Sequence, residues 1–98
     1  MKPLTGKQIR KLKSLAHHLE PVVYIGKQGI TPALVKAADD ALRAHELIKI
    51  KFVDFKDAKK SLAEEVAAET DAVIIGMIGN VAILFRQNPD AGNQRIVV

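Results

Sequence analysis

A short apolar run, Val22–Ile25, is followed at once by two glycines that bracket a lysine and a glutamine, Gly26–Gly29. Thr31 and Pro32 come next and have the chemistry of a helix start, with threonine at the N-cap and proline in the first turn. The segment therefore predicts a strand, a tight loop and a helix N-terminus in direct succession. A strand followed by a helix favours a parallel crossover to the next strand.

A basic amphipathic helix is predicted ahead of this unit. Thr5 and Gln8 have the spacing of a capping box, and Pro21 is expected to end the helix because the residue before proline avoids the α region. The apolar stripe has helical spacing: Ile9, Leu12, Leu15, Ala16 and Leu19.

The middle of the chain predicts a helix, a strand and a helix. The second helix starts at Thr31-Pro32 and ends near His45, and Leu47–Phe52 then alternates apolar and polar residues as a strand does. In that strand Lys49 and Lys51 face away from the apolar side. Asp57 is expected to cap a third helix that runs through Glu69.

Two further strands, 72–78 and 81–86, are separated by Gly79-Asn80, which suits a two-residue hairpin turn. The order α-β-α-β-α-β-β predicts an α/β (α+β two-layer) fold with a mixed four-stranded sheet. The first strand, Val22–Ile25, is apolar throughout and is expected to be buried on both faces. The polar segment after Arg86 is expected to pair briefly at a sheet edge or to stay loose.

Charge is distributed unevenly along the chain. The net charge is +4, yet residues 1–30 carry +5 and residues 31–98 carry −1. The positive potential therefore belongs to the first helix and the glycine loop, which favours a polyanionic partner. The absence of cysteine excludes disulfides and thiolate metal sites and is typical of a reducing cytoplasm. No apolar run reaches the roughly 20 residues of a membrane helix.

The loop has two interpretations. It is either an ordinary tight turn with Lys27 solvated, or a phosphate clamp of the G-x-x-G kind that KH domains use on nucleic-acid backbones. In the second case the loop N–H groups and Lys27 contact phosphate, and Gln28 adds an amide. The helix behind the loop supplies further free N–H groups.

Four segments of the chain resemble the CRM-domain family, named for chloroplast RNA splicing and ribosome maturation, and in particular its bacterial single-domain YhbY-like members. They are Leu12–Leu19 with Pro21–Val23, Ile25–Thr31, His45–Lys51, and Ile78-Gly79 with Ile83–Arg86. Phe85 stands where the family often has tyrosine. The segment after Arg86 matches poorly, and only a weak expectation attaches to Arg95 there.

The resemblance implies a fold like the C-terminal domain of translation initiation factor three, RNA binding, and association with large-subunit ribosome precursors. It implies one CRM-type domain over residues 1–98, with a core of about 4–87 and a polar tail from 88. We expect ribosomal RNA as the partner of a monomer, with no enzyme activity, cofactor, metal, membrane or small-molecule substrate. The expected RNA-contacting residues are Lys7, Arg10, Lys11, Gly26, Lys27, Gln28, Gly29, Thr31, Lys49, Lys51 and Arg86.

Several of these residues have plainer interpretations. The cations of the first helix and the strand lysines can simply be solvated, and Arg86 can cap a helix C-terminus instead of reaching phosphate. His17, His18 and His45 are better placed to mark helix ends than to bind a metal. Only four aromatic residues are present, which favours recognition of backbone and shape over base readout.

Two other classes of function stay open. A protein-interaction adaptor is suggested by the acidic third helix and the apolar C-terminal residues 96–98. A phosphate-handling enzyme lacks both a G-x-x-x-x-G-K-[ST] loop and a recognisable general base.

Overall fold

Nine elements follow one another along the computed structural model of the protein, which describes residues 3–98. The predicted order of helices and strands is confirmed, with two additional 3₁₀ turns. The elements are α1 (Gly6–Ala16), β1 (Val23–Ile25), α2 (Pro32–His45), β2 (Leu47–Phe52), a 3₁₀ turn (Lys56–Ala58), α3 (Lys59–Thr70), β3 (Val73–Ile78), β4 (Val81–Phe85) and a second 3₁₀ turn (Ala91–Asn93). Lys2, one of the cations that give residues 1–30 their charge of +5, lies outside the described residues.

The sheet has four strands in the order β1-β2-β4-β3. β1 and β2 are parallel, with Ile25 opposite Phe52, and β4 runs antiparallel to both of its neighbours. The hairpin between β3 and β4 turns at Gly79, whose φ is 57°, as the glycine-asparagine pair predicts. The mixed four-stranded sheet is thus confirmed.

Helices cover both faces of the sheet. α2 and α3 pack on one face, where Ile48, Ile50 and Phe52 of β2 join the larger apolar cluster. α1 packs on the other face, where Leu12 and Ala16 join Leu47 and residues of β3 and β4 in a second cluster. Across residues 3–98, each helix is too short or too polar to cross a bilayer.

α1 begins as predicted and ends earlier. Thr5 Oγ1 accepts the N–H of Gln8 at 3.2 Å and the Gln8 side chain accepts the N–H of Thr5 at 2.9 Å, which completes the capping box. The prediction that Pro21 ends the helix was wrong, since its last residue is Ala16. The N–H of His17 is shared between two carbonyl groups, and this tightening closes the last turn before proline is reached.

The first strand is not buried on both faces. It spans only Val23–Ile25, and its central residue Tyr24 is 56% exposed, while the preceding Val22 is 47% exposed. β1 is an edge strand whose core-facing side chains, Val23 and Ile25, lie on the side of α2. Its other face has no comparable cover, so an apolar sequence there is only half buried.

α3 does not start at Asp57. Phe55 adopts a left-handed conformation with φ 54°, and residues 56–58 form a separate 3₁₀ turn. The helix then starts at Lys59, its N-cap is Ala58, and no side chain caps it. Asp57 therefore lies inside this 3₁₀ turn and cannot cap the helix from outside, and the predicted cap falls one residue before the actual N-cap.

The C-terminal tail is neither loose nor paired as a strand. The carboxylate of Glu46 accepts the backbone N–H groups of Asn88 at 2.6 Å, Arg95 at 2.6 Å and Ile96 at 2.9 Å. Glu46 is 1% exposed and has φ 64°, directly after α2. Ile96 also packs against the cluster beneath α1. One buried carboxylate therefore holds both ends of the tail.

We expect Glu46→Gln to lower the free energy of unfolding by about 1–3 kcal/mol, because the amide group presents a donor where a carboxylate oxygen accepted an N–H. Denaturant unfolding measures the loss, and hydrogen exchange should show the tail amides losing protection first. Glu69→Gln, an exposed change on α3, serves as the control. Equal unfolding free energies for the two variants would contradict this role of Glu46.

Candidate functional site

The loop between β1 and α2 is a closed turn. The N–H of Gly29 donates to the carbonyl oxygen of Gly26 at 3.0 Å, and Gly29 has φ 66°. Lys27 and Gln28 form the exposed tip between the two glycines. The turn projects one cation and one amide from the sheet edge into solvent.

The two glycines meet different needs. Gly29 requires the left-handed region that only glycine enters without strain. Gly26 has no positive φ, and a Cβ at this position would meet nothing within 4 Å. The fold therefore explains Gly29 and leaves Gly26 unexplained, although its bare backbone gives a ligand close access to the turn.

Thr31 joins the loop to α2 as the sequence predicts. Its Oγ1 accepts the N–H of Leu34 at 3.1 Å, and Pro32 occupies the first turn. The hydroxyl of Thr31 keeps its own proton for donation. The cap fixes the direction in which α2 leaves the loop.

A line of side chains on β2 connects α1 with the edge that carries the loop. Leu47 is buried beneath α1, and Lys49 and Lys51 follow on the same face at alternate positions, over about 13 Å. The Nζ of Lys49 donates to the carbonyl oxygen of Leu19 at 3.0 Å. Lys51 is exposed and lies opposite Tyr24 in the register of the sheet.

The cations of α1 face solvent. Lys7, Arg10 and Lys11 are exposed, and the Nζ of Lys11 donates to the carbonyl oxygen of Val97. The stem of Lys13 covers Gly76, where a Cβ would lie 2.9 Å from its Cε atom.

Opposite charges meet elsewhere in the molecule. Within residues 3–98, every ion pair involves Asp39 or Asp40 of α2, and their partners are Lys36, Arg43 and Arg86. The cations of α1, of β2 and of the glycine loop have no carboxylate within 4.0 Å in that part of the chain. No salt bridge within residues 3–98 therefore neutralises these cations.

Arg86 caps a helix C-terminus, which is one of the two roles that the sequence predicts for it. Its guanidinium donates to Asp39 Oδ1 at 2.6 Å, to the carbonyl oxygen of Asp39 at 3.1 Å and to that of Thr70, the last residue of α3, at 2.8 Å. Arg86 therefore joins α2 to the C-terminus of α3. Sequence reasoning missed Asp39, because nothing in the pattern of α2 separates it from its exposed neighbour Asp40.

Two exposed aromatic side chains beside the loop were also missed. Tyr24 lies on the open face of β1, two residues before Gly26, and Phe55 is 44% exposed with its ring edge 3.7 Å from the position of a Cβ on Gly29. The sequence predicted that β1 is buried on both faces, which hid the exposure of Tyr24, and the residues around Phe55 gave no signal for an exposed ring.

The histidines mark helix ends. His17 is the C-cap of α1, and its ring lies edge-on to that of His18, with 5.3 Å between the ring centroids. His45 is the last residue of α2. Among residues 3–98, no three His, Cys, Asp or Glu side chains are grouped as metal ligands would be.

Comparisons with known proteins point to one family. A family model, the CRS1/YhbY (CRM) domain, matches residues 4–86. A Haemophilus influenzae protein named an RNA-binding protein is 37% identical over 92 residues, covering 93% of each chain. A Pseudomonas aeruginosa protein named a probable RNA-binding protein is 34% identical over 87 residues, covering 88% of this chain and 84% of its own.

A solved structure shares the fold. The solution structure of a hypothetical Staphylococcus aureus protein, suggested to bind RNA, superposes with a TM-score of 0.78 at 37% sequence identity. The match covers 97% of this chain and 100% of that one. These three proteins are named for RNA binding and not for an enzyme activity.

The two glycines should respond differently to alanine. We expect Gly29→Ala to lower the free energy of unfolding by about 1–2 kcal/mol, because an L side chain is strained at φ 66°. Gly26→Ala should leave stability within about 0.5 kcal/mol, since its Cβ enters open space. Thermal or urea unfolding of both variants measures this, and a large loss for Gly26→Ala alone would contradict it.

Acid should weaken the link between Asp39 and Arg86. The hydrogen bond and charge of Arg86 hold the pKa of Asp39 below its ordinary value, and Arg43 and Lys36 act in the same direction, while burial opposes them. Because the folded-state pKa is lowered, the stabilisation is present above the unfolded pKa of about 3.9 and is lost as pH falls through the folded value.

We therefore expect the stability difference between the wild type and Asp39→Asn to be constant near neutral pH and to shrink below about pH 4. Urea unfolding across that range measures the difference. A difference in unfolding free energy that grows as the pH falls would contradict the lowered pKa of Asp39.

Proposed function

The chain belongs to the CRS1/YhbY (CRM) domain family, and on that premise we propose that it is an RNA-binding protein whose glycine loop holds a phosphate group of the RNA backbone. One observation carries the proposal. Gly26 has no structural need to be glycine, and it lies in an exposed turn that presents Lys27 and Gln28 at the N-terminus of α2.

In this proposal the loop acts through its backbone and its tip. The absence of a Cβ at Gly26 lets a phosphate oxygen approach the N–H groups of the turn. Lys27 supplies a full charge, Gln28 supplies amide hydrogen bonds to phosphate or ribose, and the hydroxyl of Thr31 can donate from the start of α2. The dipole of α2 adds a partial positive charge at the same point.

The basic line on β2 extends the interface from the loop towards α1. Lys51 and Lys49 follow the loop edge, and the exposed cations of α1 (Lys7, Arg10 and Lys11) continue beyond them. Because these groups lack carboxylate partners in residues 3–98, RNA binding costs no internal ion pair. Phosphate contacts then dominate affinity, and release of counterions makes the affinity salt-dependent.

Arg86 has an indirect role in this scheme. Its two terminal nitrogens donate to Asp39 and to the end of α3, so in this proposal Arg86 positions α2 and does not itself contact the RNA.

We further propose that the target is structured ribosomal RNA in a precursor of the large subunit, within the cytoplasm. The support is the resemblance of the four sequence segments described above and the absence of cysteine. Shape recognition by a phosphate-contacting surface suits folded RNA.

A protein partner is the second candidate. An apolar groove of about 430 Å³ lies between α1, the start of β2 and the tail, and Leu15, Leu19 and Val22 in its lining are 37–47% exposed. Ile96, however, packs against the cluster beneath α1, and its N–H donates to Glu46. The apolar C-terminal residues therefore give less support to an adaptor than the sequence suggested. Association with ribosomal precursors that survives nuclease treatment would favour this second function.

The double variant Lys27→Asp, Gln28→Asp tests the first function. We expect it to bind a structured ribosomal RNA fragment more weakly, with the slope of log affinity against log salt reduced by about one, since the counterion slope is roughly 0.7–0.9 per phosphate. Binding is measured over a salt series, with circular dichroism of each variant.

The control variant lowers the net charge by three, as the loop variant does, but at a site far from the loop. Arg43→Glu with Ala44→Glu acts at the other end of α2, about 18 Å along the helix from the loop. This variant should keep most of the affinity and the full salt slope. Equal losses in the two variants would show that net charge, and not the loop, controls binding, and unchanged binding of the loop variant would remove the loop from the interface.

A further inference from the structure

Phe55 is held in an unusual place for a large apolar residue. It has φ 54°, a region that bulky L residues rarely occupy, and its ring is 44% exposed instead of joining the core. The side chain of Asp54 accepts the N–H of Phe55 at 2.8 Å and so supports this conformation. The ring edge lies beside Gly29, the second glycine of the loop.

Hydrogen bonds connect the Phe55 segment to the start of the glycine loop. The carbonyl oxygen of Ile25 accepts the N–H groups of Val53 at 2.9 Å and Asp54 at 3.1 Å. Ile25 directly precedes Gly26, so the position of the Phe55 segment is set relative to the glycine loop. The aromatic ring is thus held at a fixed place beside the turn.

Tyr24 lies at the other end of the loop. Its side chain points to the face of β1 opposite the core, and it is 56% exposed beside its register partner Lys51. Lys27 is the third residue after Tyr24, so their Cα atoms are at most about 11 Å apart. An RNA chain whose phosphate is held at the tip of the glycine loop thus passes within reach of the exposed ring of Tyr24.

We propose that Phe55 and Tyr24 are stacking platforms for unpaired bases that flank the phosphate held by the glycine loop. The inference rests on the proposed function and adds its ligand class, an RNA segment with unstacked, single-stranded nucleotides next to a folded region. Aromatic faces bind such bases with little sequence preference, and Lys51 and Lys27 neutralise the backbone between them. The interface therefore reads unpaired bases as well as backbone and shape, which the small number of aromatic residues had argued against.

The sequence provides a direct probe of this contact. Tyr24 is the single tyrosine of the chain, and tryptophan is absent, so tyrosine emission reports on Tyr24 alone. Two RNAs are compared: a blunt stem, and the same stem with a single-stranded extension. We expect the extended RNA to quench the emission and to bind more tightly than the blunt stem.

Variants that remove each ring test the energy of stacking. Tyr24→Leu and Phe55→Leu should weaken binding of the extended RNA by roughly 5- to 100-fold and leave binding of the blunt stem unchanged. Tyr24→Phe and Phe55→Tyr should keep the affinity because they keep a ring. Val53→Ala, an exposed aliphatic change in the same segment, is the matched control and should bind as the wild type does.

The outcomes separate this inference from the function on which it rests. Suppose that the wild type binds both RNAs with unchanged tyrosine emission, and that the leucine variants bind them equally well. The stacking proposal is then wrong, while the proposed phosphate contact of the glycine loop is unaffected. If the leucine variants lose affinity for both RNAs equally, the rings are structural and stacking is again wrong. If the wild type binds neither RNA, the proposed function itself is overturned.

Discussion

The parallel pairing of β1 with β2 is the constraint on which the candidate interface depends. Parallel neighbours end at the same edge of a sheet, so the glycine loop after β1 and the Phe55 segment after β2 must leave the sheet side by side. The carbonyl oxygen of Ile25 then joins the two exits by accepting the N–H groups of Val53 and Asp54. The glycine loop, which we propose holds phosphate, and an exposed aromatic ring are adjacent for this reason, although 26 positions separate Gly29 from Phe55.

The distribution of charge follows from the same architecture. The acidic groups of α2 are satisfied on their own side of the sheet by Lys36, Arg43 and Arg86. The cations of α1 and β2 lie on the opposite face without acidic partners in residues 3–98. A modest net charge of +4 is thereby concentrated on one surface. Concentrated positive potential attracts a polyanion more strongly than the same charge spread evenly.

Local chemistry was predictable wherever neighbouring residues supply it. The capping box at Thr5, the cap at Thr31, the alternation along β2 and the hairpin at Gly79 all depend on residues within a few positions of one another. The predictions that were wrong concern longer-range context. The exposure of β1 depends on which helices cover it, and the start of α3 depends on the left-handed conformation of Phe55, which its side chain alone does not indicate.

Periodicity, caps and composition are local properties of the chain, and they were enough to predict the order of elements, the turn between the two glycines and the excess of cations in the first third. The tertiary structure then established how these parts meet. It engaged Arg86 with Asp39, bound the tail to Glu46, and brought Tyr24 and Phe55 to the two ends of the loop. Such contacts join residues far apart in the chain, and the packing of both sheet faces selects them.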